Sequence, residues 1–258
     1  MFKVAACQMS VNSDLESNLS RIESAIGRAS AEGARLIALP ECAVSGYPPL
    51  CCKSAREIDI ARIAEINDCV RAIAAENGIW VVVGTIISGE NGLLNSALVI
   101  SSSGELMGRY DKMHLMPMDK KYFVPGNGAR LFSMDGMPFG VLICYDVRFP
   151  EPYRYLRESG AKFIVTILNA CGSDTWKLPV MEAAIRTRAA ENSYFHIAAN
   201  AAGPLQMAVS RVCDPLGLDL ASAEVNREEM IFAEIDLSRT ETGYYYDRRS
   251  DLYRVRAL

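Results

Sequence analysis

The chain has 258 residues, long for one hydrophobic core and short for two full domains, a size at which single α/β domains are routine. Half of its residues are apolar and its charges are interspersed, with a net charge of −4; that describes a folded chain with a large core and excludes a disordered one. No Lys/Arg cluster offers a footprint for a phosphate backbone, and no window approaches the roughly 20 continuous apolar residues of a membrane span, so neither nucleic acid nor membrane is an expected partner.

The pattern alternates from the start. Phe2–Gln8 reads as a buried strand, too short for the apolar region of a signal peptide, so a cytosolic protein is expected. Ser13-Asp14-Leu15-Glu16 has capping-box spacing, and Leu19, Ile22, Ile26 and Ala29 then recur at helical spacing up to Gly33. Ala34–Leu39 predicts a second strand. Ser54 to Glu57 repeats the capping-box spacing, and Ile60, Ile63, Val70 and Ile73 predict a helix closing near Asn77-Gly78. Strands over Ile79–Ile87 and Ser96–Ser101 follow, separated by the turn Gly89-Glu90-Asn91-Gly92.

Lys112–Gly128 has little periodicity and carries Pro117, Pro125, Gly126 and Gly128, which predicts a long ordered loop of the kind that serves function. Gly140–Cys144 is a strand, a helix follows Pro150, and Lys162–Leu168 is a strand. A longer helix is predicted over Thr175–Asn192, then strands over Tyr194–Ala199, Met207–Cys213 and Met230–Ile235. Helix–strand alternation with hairpin-like pairs predicts an α/β fold with a mixed sheet. No linker or repeat divides the chain, so one domain over 1–258 is the simplest organisation.

Eight cysteines scattered through a chain of this length read as free thiols in a reducing compartment. There is no C-x-x-C and only His114 and His196 for imidazole ligands, so no zinc site is readable and no metal or cofactor is implied. The neighbours Cys51 and Cys52 offer a redox or soft-metal pair, or an incidental one.

Three strand ends carry candidate chemistry. Ala38-Leu39-Pro40-Glu41 places a carboxylate directly after an apolar strand; in a dry neighbourhood its pKa rises, which suits a general base, whereas a capping or paired acid is the plain alternative. Lys112 opens the long loop, where an ammonium serves a developing oxyanion or merely meets solvent. Cys144 ends the apolar strand Gly140-Val141-Leu142-Ile143 just before a turn and helix, as a nucleophile or as a buried inert thiol.

Together, Leu39-Pro40-Glu41, Tyr110-Asp111-Lys112-Met113-His114-Leu115 and Ile143-Cys144-Tyr145-Asp146 resemble the nitrilase superfamily of carbon–nitrogen hydrolases. The resemblance extends over nearly the whole chain, through Val4-Ala5-Ala6-Cys7-Gln8, Ser45-Gly46-Tyr47, Tyr122-Phe123-Val124-Pro125-Gly126, Arg188-Ala189-Ala190-Glu191-Asn192, Ala199-Asn200 and Asp247-Arg248-Arg249-Ser250-Asp251-Leu252-Tyr253. It implies a four-layer α-β-β-α sandwich and a homodimer or higher homo-oligomer that joins helical layers. It also implies a catalytic Glu–Lys–Cys triad at Glu41, Lys112 and Cys144, with an oxyanion held by Lys112 and the main chain at Tyr145.

Two positions depart from the family pattern. Many members carry a second glutamate seven residues before the glycine of the Pro-Gly pair, where this chain has Asp119, about 1.5 Å shorter by one carbon–carbon bond. Either the loop moves inward or Asp119 is a surface acid. Relatives often show Trp-Pro where this chain reads Asn169-Ala170-Cys171-Gly172-Ser173-Asp174-Thr175-Trp176, so this stretch around Cys171, with Tyr47, is a candidate pocket lining.

Tyr145-Asp146 after the nucleophile resembles amidase branches, and Arg148 resembles those acting on carboxylate-bearing monoamides, the ω-amidase type. A guanidinium pairs a carboxylate bidentately; a structural pair of Arg148 with Glu151 is the alternative. The chain ending also resembles N-carbamoyl amine amidohydrolases. Two further readings stand beside these: a Cys–His hydrolase using His114 or His196, and a catalytically inactive scaffold motivated by Asp119 and the Cys171 segment.

Overall fold

The computed structural model describes residues 1–174, 176–241 and 243–252. Strict alternation of side chains positions the layers. On β1 (Phe2–Ser10), Val4 and Ala6 enter one core while Ala5, Cys7 and Met9 enter another. The parallel neighbours β2 (Leu36–Ala38) and β3 (Trp80–Gly89) divide in the same way, Leu36, Ala38, Trp80 and Val82 to one side and Ile37, Val81 and Val83 to the other. The antiparallel β4 (Gly92–Ile100) and β5 (Leu106–Asp111) complete this edge.

A second set is built from β6 (Leu131–Met134), β7 (Met137–Ile143), β8 (Phe163–Leu168), β9 (Phe195–Ala202), β10 (Arg211–Cys213) and β11 (Asp219–Ser222). β7, β8 and β9 run parallel; the outer pairs are antiparallel hairpins, and β12 (Glu229–Ile235) returns to pair antiparallel with β1. Met9 and Ser10 of β1 meet Ala201 and Ala202 of β9, so the two halves join along one seam and fold face to face. Phe2 and Phe163 meet edge to face across the sandwich, with ring centroids 6.0 Å apart.

Helices cover both outer faces. On the first, α1 (Leu15–Ala31) buries Ile22, Ile26 and Ala29, the short α2 (Pro48–Cys51) follows the Glu41 turn, and α3 (Ile60–Asn77) buries Ile63, Ile66 and Val70. On the second, α4 (Pro150–Glu158) buries Tyr153 and Leu156, and α5 (Lys177–Asn192) buries Met181, Ile185 and Ala189. A final turn, α6 (Tyr244–Asp247), lies beside α5. This is the expected α-β-β-α sandwich with mixed sheets, and no helix of the described residues is long and apolar enough to cross a membrane.

Several local expectations shift. Asp14, not Ser13, caps α1, its carboxylate accepting from the Glu16 and Ser17 N–H groups. Ser54 caps only a 3-10 turn and makes no side-chain cap; the cap of α3 is Asp59, which accepts from Arg62. Three strands that the pattern did not announce, β5, β6 and β11, are short or exposed on one side, so alternation is weak there. The first residue of the predicted Thr175–Asn192 helix lies outside the described residues, as does Tyr253.

Candidate active site

Glu41 stands in the turn after β2. Leu39 N–H donates to Val82 O at 2.8 Å, Gly84 N–H to Pro40 O at 3.2 Å, and Glu41 N–H reaches across to Leu168 O of β8 at 3.3 Å. Gly84 permits this turn: a Cβ there would collide with the backbone of Pro40 and Cys42. The carboxylate is fully buried and fully bonded. Oε1 accepts from Asn95 Nδ2 at 2.7 Å and Lys112 Nζ at 2.8 Å, and Oε2 from the Asn169 N–H at 2.9 Å.

Lys112 follows β5 directly. Its N–H donates to Asn95 O and its carbonyl accepts from the Gly126 N–H, each at 2.9 Å. A side chain on Gly126 would strike the Asp111 carbonyl, which explains the glycine after Pro125. Asp119 begins a 3-10 turn inside the long loop and is fully buried, so the loop does move inward and the surface-acid alternative fails. Its Oδ2 lies 2.7 Å from Lys112 Nζ and accepts the Met116 N–H at 3.0 Å; its Oδ1 accepts from the Tyr47 hydroxyl at 2.5 Å.

Cys144 begins the 3-10 turn Cys144–Arg148 at the end of β7 and adopts φ 43°, a left-handed conformation costly for a residue with a side chain. The strain is held in place by Asp146, whose Oδ2 accepts the Ile143 N–H at 3.0 Å. The thiol is 4 % exposed and opens on a cavity of about 410 Å³. Tyr145, Arg148, Cys171, Met116, Met181 and Met207 are among its walls. The Tyr145 N–H belongs to the first turn of the 3-10 helix, where donors lack partners within the helix.

One ammonium thus faces two carboxylates and a thiol in a dry site. Burial raises the Glu41 carboxyl above the ordinary glutamate value; the Lys112 charge opposes this and the Asp119 charge adds to it. Burial alone would strip Lys112 of its proton, but Glu41, Cys144 and Asp119 outweigh it and hold the ammonium well above its usual value. Burial, reinforced by the Glu41 charge, pushes the Cys144 thiol well above the usual range against the pull of Lys112. The resting nucleophile is therefore a thiol that needs a base, and Glu41 is a carboxylate with unusual appetite for a proton.

Of the remaining predicted residues, Arg148 and Cys171 do line the cavity. Cys171 is half-buried, pushed by burial up to about 11, and bridges Gln206. Tyr47 is not among these cavity walls; it is 3 % exposed and its hydroxyl donates a hydrogen bond to Asp119 Oδ1. His196 is sealed in the core between Thr166 Oγ1 at 2.8 Å and Ile185 O at 3.0 Å, and His114 Nδ1 faces Asp146 at 2.7 Å, so neither imidazole is oriented by Cys144. Asn95 and the Asn169 N–H, both partners of Glu41, escaped the sequence reading. The available signal was a polar side chain inside an apolar strand, missed because that strand was predicted to begin at Ser96. No group of three or more possible metal ligands occurs among the described residues.

A sandwich that gathers a carboxylate, an ammonium and a thiol around one cavity has the parts of a thiol hydrolase acting on amide-type bonds. The chain belongs to the carbon–nitrogen hydrolase family, whose profile matches residues 3–245. It is 32 % identical to a nitrilase of Pyrococcus abyssi over 98 % of this chain and 99 % of that protein, and 28 % identical to the human omega-amidase NIT2 over 98 % and 97 %. Its structure is similar to that of a mutant of an amidase from Nesterenkonia sp. AN1, with TM-score 0.84, 26 % identity and 98 % of each chain covered; that mutant shows the result of Michael addition of acrylamide at the active site cysteine. The chain is thus an amidase-type carbon–nitrogen hydrolase with a Glu–Lys–Cys triad.

Proposed function

We propose that this hydrolase cleaves a small monoamide that carries a carboxylate at its far end, by way of a thioester on Cys144. Glu41 takes the thiol proton as sulfur attacks the amide carbon, and the oxyanion forms against Lys112 and the Tyr145 N–H. Glu41 then protonates the departing ammonia, leaving the acyl group on sulfur. It next takes a proton from water as that water attacks the thioester and passes that proton to the departing sulfur, so the freed acid leaves Cys144 as a thiol and Glu41 as a carboxylate. Asp119 keeps Lys112 charged and aimed, with Tyr47 as its support.

The observation that carries the substrate preference is Arg148. Its guanidinium sits on a mostly apolar cavity wall, and among the described residues it makes no ion pair, neither with Glu151 nor with any other acid. An unmatched guanidinium beside Met116, Met181 and Met207 favours a ligand with an aliphatic body and an anionic end. The reading includes one hydrolase domain working in the reducing cytosol, where all eight thiols stay free, as a homo-oligomer whose mass sedimentation would report.

The test is ammonia release by wild type and Cys144→Ala with α-ketoglutaramate, succinamate, a neutral aliphatic amide and an N-carbamoyl amine. Release from the two acidic amides, abolished by the substitution, supports the reading. Preference for the N-carbamoyl amine would move the chain to that branch, and preference for the neutral amide would remove the role of Arg148.

A further inference from the structure

We infer that the buried carboxylate of Asp146 is a brace that sets the position of Lys112 relative to Cys144, with His114 and Tyr110 as its adjustable arms. The inference rests on the amidase reading and assigns three positioning residues beyond the triad.

The brace is one side chain. Asp146 is fully buried. Its Oδ2 accepts from the Tyr110 hydroxyl at 2.7 Å and the Ile143 N–H at 3.0 Å; its Oδ1 accepts from the His114 N–H at 3.0 Å and faces His114 Nδ1 at 2.7 Å. A carboxylate oxygen accepts, so Nδ1 is the protonated nitrogen of that ring. Tyr110 and His114 stand two residues to either side of Lys112, and Ile143 directly precedes Cys144. The Tyr110 oxygen also accepts the Met113 N–H at 3.3 Å, closing the turn around Lys112.

The connection spans the sandwich. Lys112 hangs from β5 of one sheet and Cys144 from β7 of the other. Apolar packing between two sheets is non-directional, and it tolerates slips of a fraction of an ångström that would spoil an oxyanion site. Three directional bonds from the segment around Lys112 to the one carboxylate of the Cys144 turn restrict that freedom, while the Ile143 N–H fixes the carboxylate within its own turn. His114 lies at the edge of the brace, its side chain 33 % exposed and its ring stacked on Phe149 at 3.9 Å, so it can be replaced without opening the core.

The experiment compares His114→Asn, His114→Gln, His114→Phe and Tyr110→Phe, reading kcat and KM with an amide the wild type hydrolyses. The rate of Cys144 labelling by iodoacetamide, followed by peptide mass spectrometry, is read alongside. An asparagine amide nitrogen falls where Nδ1 stands, whereas a glutamine amide lies one carbon too far. His114→Gln, His114→Phe and Tyr110→Phe should lose about tenfold or more in kcat, with KM within about threefold, and His114→Asn should keep kcat within about threefold. Labelling, which forms no oxyanion, should continue near the wild-type rate in all four. Undiminished kcat in His114→Phe, equal losses in His114→Asn and His114→Phe, or labelling that slows in step with kcat would each overturn the brace. A wild type that hydrolyses no amide overturns the amidase reading itself, a different result from an active wild type with indifferent variants.

Discussion

Asp119 bonds Lys112 at 2.7 Å from a fully buried position, although the two residues lie seven apart in a loop with little secondary structure. The 3-10 turn at Asp119–Lys121 and the Met116 N–H hold this carboxylate against the ammonium. Asp119→Asn keeps the shape and removes one of the charges that, with Glu41, hold Lys112 protonated. We expect kcat to fall about 100-fold in ammonia-release assays, with a cooperative melting transition retained. Turnover close to wild type would reduce Asp119 to a structural acid.

Arg148 should act on charge and not on chemistry. Arg148→Leu is expected to raise KM for acidic amides by about tenfold or more and to leave KM for a neutral amide nearly unchanged, as loss of an exposed-to-partly-buried carboxylate pairing implies. Equal effects on both substrates would show that the guanidinium shapes the cavity without reading the ligand.

The pH profile follows from the buried charges. Glu41 must be unprotonated to act as base, and burial holds it above its ordinary value despite Lys112. The acid limb of kcat/KM should therefore lie above the usual glutamate range, activity rising with pH through it. Lys112 and Cys144 are both held well above their ordinary values, so neither should cut activity on the alkaline side below about pH 9. An acid limb at the ordinary value, or full turnover by Glu41→Gln, contradicts this account.

His196 gives a stability test away from the chemistry. Burial pushes its imidazole from 6.5 down to about 4 in the folded chain. The unfolded chain takes up the proton near 6.5 and the folded chain only near 4, so the stability tied to the neutral ring is complete above 6.5 and is lost as pH falls toward 4. The linked loss is about 3 kcal/mol across that window. Urea midpoints at pH 7 and pH 4.5 should separate more for wild type than for His196→Gln, which is less stable at both; parallel declines would show that His196 carries no such linkage.

Gly84 reports on the Glu41 turn. Gly84→Ala drives a methyl group into the backbone of Pro40 and Cys42 and should cost about 1–3 kcal/mol while displacing Glu41. A lowered melting temperature together with lost turnover is the expected pair; a stable, active variant would mean the turn relaxes freely.

Much of this molecule was legible in its sequence because the relevant signals are local. Continuous apolar runs specify the strands, whose successive residues enter the two cores in turn, and helical stripes such as Ile22, Ile26 and Ala29 specify the covering layer. Glu41, Lys112 and Cys144 each stand where an apolar strand gives way to a turn, a junction that residue order alone reveals. Residue order could not give the seam at which β1 meets β9, because a two-residue pairing across nearly 200 positions leaves no local trace. Nor could it tell that Tyr47 supports Asp119 instead of lining the cavity, that Asn95 holds Glu41, or that Asp146 ties Lys112 to the nucleophile's turn. Those are contacts between segments distant in the chain, and whether a polar group meets solvent, substrate or another side chain is decided only when the two sheets close and water is excluded between them.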